Sequence, residues 1–88
     1  MARFKVYGAD WETTNETNSH VQAMKIALNT GEMERQTEHQ FKQRFPDGPD
    51  EYITVVNLGS RQTIEYQIRR KSFKKNPDKV IIYYTEYV

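Results

Sequence analysis

Between Gln62 and Val88 two alternating apolar runs flank the basic segment Arg69-Arg70-Lys71-Ser72-Phe73-Lys74-Lys75. A period of two is the signature of a strand, because successive side chains point to opposite faces. In the first run Ile64, Tyr66 and Ile68 share one face, while Thr63, Glu65, Gln67 and Arg69 share the other, so one side is wet. In the second run, Lys79 to Val88, Val80, Ile82 and Tyr84 oppose Ile81, Tyr83 and Tyr87. Apolar groups on both faces predict a central strand, or one whose second face meets another molecule. Asn76-Pro77-Asp78 is the predicted turn between the two runs. A chain with this ending must build a sheet.

The rest is read to fit that sheet. Phe4 to Tyr7 alternates and stops at Gly8, which predicts a short first strand with Phe4 and Val6 buried. Asp10 to Asn18 is dense in Thr, Asn, Asp and Glu and predicts a loop. Asn18 or Ser19 can cap a helix from His20 to Thr30, with Val21, Met24 and Leu28 at helical spacing. Met33, Thr37, Phe41 and Phe45 recur every four residues and predict a second helical piece after a break at Gly31. Pro46 and Asp47-Gly48-Pro49-Asp50 end it. Tyr52 to Leu58 predicts another strand, turning at Gly59-Ser60.

The expected fold is a single α+β domain over residues 1–88, in the order β-α-β-β-β, with a four-stranded, mostly antiparallel sheet and one helical layer. Its expected core is Phe4, Val6, Leu28, Phe41, Phe45, Val56, Ile64, Tyr66, Ile68, Val80, Ile82 and Tyr84. The order of elements resembles that of cystatin-like folds in topology alone. Val55-Val56-Asn57-Leu58-Gly59 is not the glycine-containing loop motif of those inhibitors, so no function follows from the likeness.

Eighty-eight residues bury only about 60–65 % of the unfolded chain's surface, which leaves little room for an enclosed active site. Eighteen Leu, Ile, Val and Phe residues are few, so six tyrosines and Trp11 must share the core. Cysteine is absent, and neither disulfides nor thiolate metal sites are available. No apolar run approaches the roughly 18 residues of a membrane span, and Met1-Ala2-Arg3-Phe4-Lys5 lacks a signal-peptide pattern. These features predict a cytoplasmic protein with no membrane contact. The net charge of +1 conceals a split of −3 over residues 1–60 and +4 over residues 61–88, which predicts two electrostatically different ends.

Asp10-Trp11-Glu12-Thr13 resembles the first motif of proofreading-type 3′ to 5′ exonucleases, whose paired carboxylates hold catalytic metal ions. The resemblance covers about ten residues. Asp47 and Asp50 fall outside that family's second motif, and no Tyr-x-x-x-Asp third motif occurs. His20 and His39 read as solvated helix residues, and no nucleophile, base or phosphate loop accompanies them. Neither a catalytic residue, a metal nor a cofactor is therefore expected.

The basic segment carries the functional expectation. Arg69, Arg70, Lys71, Lys74 and Lys75, with Tyr83 and Tyr87 as aromatic contacts, form the expected partner-binding surface, since Tyr and Arg are enriched at interface hot spots. The expected role is that of a small non-enzymatic protein-binding module, analogous in size and composition to the inhibitors and modulators of host macromolecules made by phages and mobile elements. The alternative is a nucleic-acid-binding domain, in which the basic β-hairpin displaces phosphate counterions and aromatic rings stack on bases. The two-sided last strand also suits a homodimer formed by strand pairing.

Overall fold

A computed structural model describes residues 1–87 and contains eight elements: β1 (Ala2–Tyr7), β2 (Glu12–Thr17), α1 (His20–Leu28), β3 (Met33–Arg35), α2 (Glu38–Arg44), β4 (Glu51–Asn57), β5 (Thr63–Phe73) and β6 (Asn76–Tyr87). The strands form one sheet in the order β2-β1-β4-β5-β6-β3. All neighbours are antiparallel except β3, which runs parallel to β6. The expected four-stranded, mostly antiparallel sheet with one helical layer is thereby corrected to a six-stranded mixed sheet with a helix on each face.

The two unexpected strands are the sheet edges. β2 occupies most of the segment expected to be a loop. Its sequence, Glu12-Thr13-Thr14-Asn15-Glu16-Thr17, has no apolar alternation, but threonine suits extended backbone and an edge strand needs only one good neighbour. That neighbour is β1, with Val6 opposite Thr13 and Phe4 opposite Asn15. Asn15 Nδ2 donates to the Ala23 carbonyl of α1 at 3.1 Å, so part of this inward polar side is satisfied by the helix.

α1 begins where Ser19 accepts from the Gln22 N–H at 3.1 Å. It ends at Asn29, whose left-handed φ of 51° closes the helix. Ala23 and Met24 are fully buried against Phe4, Val6, Ile53, Val55, Tyr66, Ile68, Ile82 and Tyr84. Full burial of one such large side chain is worth about 1.5–3 kcal/mol, so this contact fixes α1 on the sheet.

The four-residue stripe after Gly31 spans two elements. Met33 lies in β3 opposite Ile82 and packs on the α1 side. Thr37 then caps α2 in a reciprocal box with Gln40. Phe41 and Phe45 bury themselves on Tyr83 and Ile81, on the opposite side of β6 from Ile82 and Tyr84. The chain therefore rounds the β3 edge and changes face.

Most of the expected core is buried, with exceptions on β4 and at the margins. Ile53 and Val55 are buried and Val56 is only half-buried, because both faces of β4 are apolar and alternation alone does not choose between them. Leu28, Ile64 and Val80 are also half-buried. The expected Gly59-Ser60 turn is a four-residue loop, with the Asn57 N–H bonded to Gln62 O at 2.9 Å. Asn57 Oδ1 accepts from the N–H groups of Gly59 and Ser60, and Arg61 closes the loop at φ 69°. Tyr66 is fully buried, and its hydroxyl has no hydrogen-bond partner among the described residues. Burial, reinforced by the Glu86 carboxylate and Tyr84 and opposed by Arg35, pushes its phenol up to about 12.

Candidate functional site

β5 and β6 are longer than the strands beside them. β4 accompanies β5 only as far as Ile68, and β3 pairs with β6 only from Ile82 to Tyr84. Between them the hairpin continues as a two-stranded arm, with Arg70 opposite Ile82, Lys71 opposite Ile81 and Ser72 opposite Val80. Arg70 is still level with the end of β3, and at about 3.3 Å per residue Lys71 to Phe73 carries the arm roughly 10 Å past the sheet. The expected turn at Asn76-Pro77-Asp78 is corrected, for Lys74 and Lys75 make the tip and Phe73 faces Asn76. Pro77 sits where the register shifts, a place that spares the ladder its missing N–H. Lys79 lies 5.5 Å from the Phe73 ring centroid and 3.5 Å from Glu32, so it is bound along the arm.

The arm is anchored by Asp50. One carboxylate oxygen accepts from the Arg70 N–H at 2.8 Å, and the other lies 3.4 Å from Arg69 Nε. Arg69 also donates to the Gly48 carbonyl at 2.8 Å, and its guanidinium carbon sits 5.3 Å from the centroid of Phe45. Arg69 is thus a strut between arm and loop, half-buried and already paired. Arg70, Lys71, Lys74 and Lys75 are exposed, and none of the four has an ion pair among the described residues.

The two tyrosines of the expected surface lie away from this group. Tyr83 is 3 % exposed beneath α2. Its hydroxyl accepts from Arg44 Nη2 at 2.9 Å, and the same guanidinium lies 4.1 Å from the ring centroid. It serves the packing of α2. Tyr87 is exposed and meets Tyr52 edge to face at 5.3 Å, but it stands at the opposite end of β6 from the arm. The structure therefore brings four of the seven expected residues together, assigns Arg69 and Tyr83 to internal contacts and separates Tyr87.

The remaining sequence motifs have structural partners. Glu12 pairs with Lys5 at 3.0 Å across β1 and β2. Asp10 occupies the hairpin tip, where Gly8 N–H donates to Trp11 O at 3.0 Å. Trp11 Nε1 reaches over Gly8 to donate to Glu51 at 2.6 Å, so a Cβ at Gly8 would strike both side chains. His20 Nε2 lies 3.0 Å from the Gln62 carbonyl, while its ring meets Phe4 edge to face at 4.9 Å. His39 is exposed on α2. Among the described residues no three His, Cys, Asp or Glu side chains converge on a common point, and no helix is long and apolar enough to cross a membrane.

Sequence reasoning missed Asp50 as the organiser of the arm. It also missed Tyr7 and Tyr52, which stand exposed on the sheet face opposite α1. An aspartate directly before a strand in an otherwise acidic loop was the available signal for the first. Nothing but the register of β4 could reveal the second. In comparisons with known protein families, curated proteins and solved structures, nothing matches this chain.

Proposed function

We propose that the protein is a non-enzymatic binding module that seats its β5–β6 arm on an acidic recess of another protein. The observation that carries this reading is the projecting arm, on which Arg70, Lys71, Lys74 and Lys75 have no ion pair among the described residues. A short ribbon held at its base loses little freedom on docking. Its cations remain solvated until a partner's carboxylates replace water, which favours fast, salt-sensitive association. A role of this kind is that of small modulators that act by covering a partner's surface, and a reducing cytoplasm suits a chain without cysteine.

A nucleic-acid groove is the second reading, because a two-stranded ribbon fits the major groove. The carboxylates around the arm favour a protein instead. Asp50 lies at its base, and Asp10 lies at the β1–β2 tip, beyond β4 at the same end of the sheet. An extended phosphate backbone would run into them, whereas a localised acidic recess would not.

The test compares wild type with the quadruple variant Arg70→Ala, Lys71→Ala, Lys74→Ala, Lys75→Ala. Its targets are captured proteins, labelled single-stranded DNA, duplex DNA and RNA, each at low and near-physiological salt. The expected result is a protein complex retained by wild type and lost by a variant that unfolds at the same temperature. Equal retention by the two would remove the arm from the interface. Nucleic-acid binding that survives the higher salt would select the second reading.

A further inference from the structure

α2 covers the second sheet face only at β6, so the outer side of β1 and β4 stays open. Of the six exposed large apolar side chains, Tyr7 and Tyr52 lie there, and Tyr87 meets Tyr52 from the end of β6. Tyr7 stands opposite Thr54 on the adjacent strand, which makes Tyr7 and Tyr52 diagonal neighbours on one face. A cleft of about 380 Å³ is lined by these two rings, Thr54, the Gly8–Ala9 backbone, Asp50 and Glu51.

We infer that this cleft is a binding site for an arginine side chain of the partner protein. Diagonal positions on a sheet are about 7–8 Å apart. That separation leaves one layer between two rings when each contact takes about 3.5–4.0 Å, and the guanidinium group is planar and stacks on aromatic faces. The surrounding charge selects a cation. Asp50, paired with Arg69, and Glu51, bound to Trp11, line the cleft, Asp10 and the Glu12–Lys5 pair line the recess that adjoins it around Tyr7, and Glu65 stands opposite Thr54. Asp10 and Glu65 have no ion pair among the described residues. The protein's own Lys5, paired with Glu12, places its ammonium 5.5 Å from the Tyr7 ring centroid, a cation–π contact at the edge of this cleft. The walls are preset, because the Trp11–Glu51 bond ties the β1–β2 tip to the start of β4. A nucleobase would fill the same slot but would bring its phosphate against the carboxylates.

The site deepens the binding reading given above and gives the partner a second chemical feature, an arginine standing beside the acidic recess that receives the arm. The probe is N-acetyl-arginine methylamide, titrated into the ¹⁵N-labelled protein and followed by amide shifts. Acetyl-norleucine methylamide and adenosine monophosphate serve as comparison probes. The expected result is saturable shifts at Tyr7, Ala9, Tyr52 and Thr54 with the arginine probe alone. Tyr52→Ala weakens binding at least fivefold, and Tyr52→Phe keeps it. The quadruple arm variant keeps it too, so the cleft and the arm succeed or fail separately. Shifts of equal size with norleucine, binding unchanged in Tyr52→Ala, a preference for the nucleotide, or no saturable shift would each overturn the assignment.

Discussion

Replacing Tyr66 by phenylalanine should stabilise the protein, and by an amount that grows with pH. The ring is fully buried, so phenylalanine keeps its packing, including the edge contact with Tyr84 at 5.9 Å. The hydroxyl that is removed has no partner among the described residues, and an unsatisfied buried polar group costs about 1–3 kcal/mol. A small void in its place returns part of that cost, leaving a gain of about 1 kcal/mol, or roughly 4–8 °C in Tm for a domain of this size. The phenol stands at about 12 in the fold against 10.0 when unfolded. The stability that comes from keeping it neutral is therefore whole below pH 10 and is lost as pH rises towards 12. Two units at about 1.4 kcal/mol each amount to about 3 kcal/mol, a large share of the roughly 5–15 kcal/mol typical of a domain. Urea unfolding followed by circular dichroism, at neutral pH and at steps from about 9 to about 12, gives the difference between variant and wild type, in which the other tyrosines cancel. A variant less stable than wild type at neutral pH would show that the hydroxyl is satisfied. A difference that stays constant across the alkaline window would refute the role of burial.

Two other substitutions have opposite signs. Gly8→Ala places a Cβ against Glu51 and within 2.6 Å of Trp11 Nε1, so the Trp11–Glu51 hydrogen bond should break, with a loss of about 1–3 kcal/mol and a shift in the emission of the single tryptophan; unchanged emission and stability would contradict it. Arg61→Gly relieves a left-handed φ of 69° and should leave thermal unfolding unchanged or raise stability by up to about 1 kcal/mol, whereas a clear loss would mean that the arginine side chain holds the loop.

The parts of the fold legible in the sequence were those in which one face is apolar and the other polar. β1, α1 and β5 satisfy that condition, and so does the burial of Phe41 and Phe45. β2 was illegible because its inward Thr13 and Asn15 face a helix backbone and water rather than an apolar core, so a strand was written in polar residues. β3 is only three residues long, too short for any period to register. The stripe from Met33 to Phe45 misled because equal spacing joined residues on opposite sides of one sheet. Pro77 marked a register shift inside a hairpin, where composition alone indicates the turn itself. The basic run was visible, but its division into strut and free cations depended on Asp50, and Tyr83 could be distinguished from Tyr87 only by knowing that α2 covers one and not the other.

The sheet order also dictates a sequence of events. β3, formed by residues 33–35, pairs with residues 82–84, and α2 has its platform on the same last strand. β1 likewise waits for β4, more than forty residues later. Loop-closure cost favours early closure of the local hairpins β1–β2 and β4–β5–β6, with the N-terminal half added afterwards to both sides of the C-terminal meander, a slow route for so short a chain. During synthesis the aromatic face of α2 and the apolar side of β1 emerge before the strands that shelter them. A nascent chain of this protein is most prone to aggregate in the interval just before β6 leaves the ribosome.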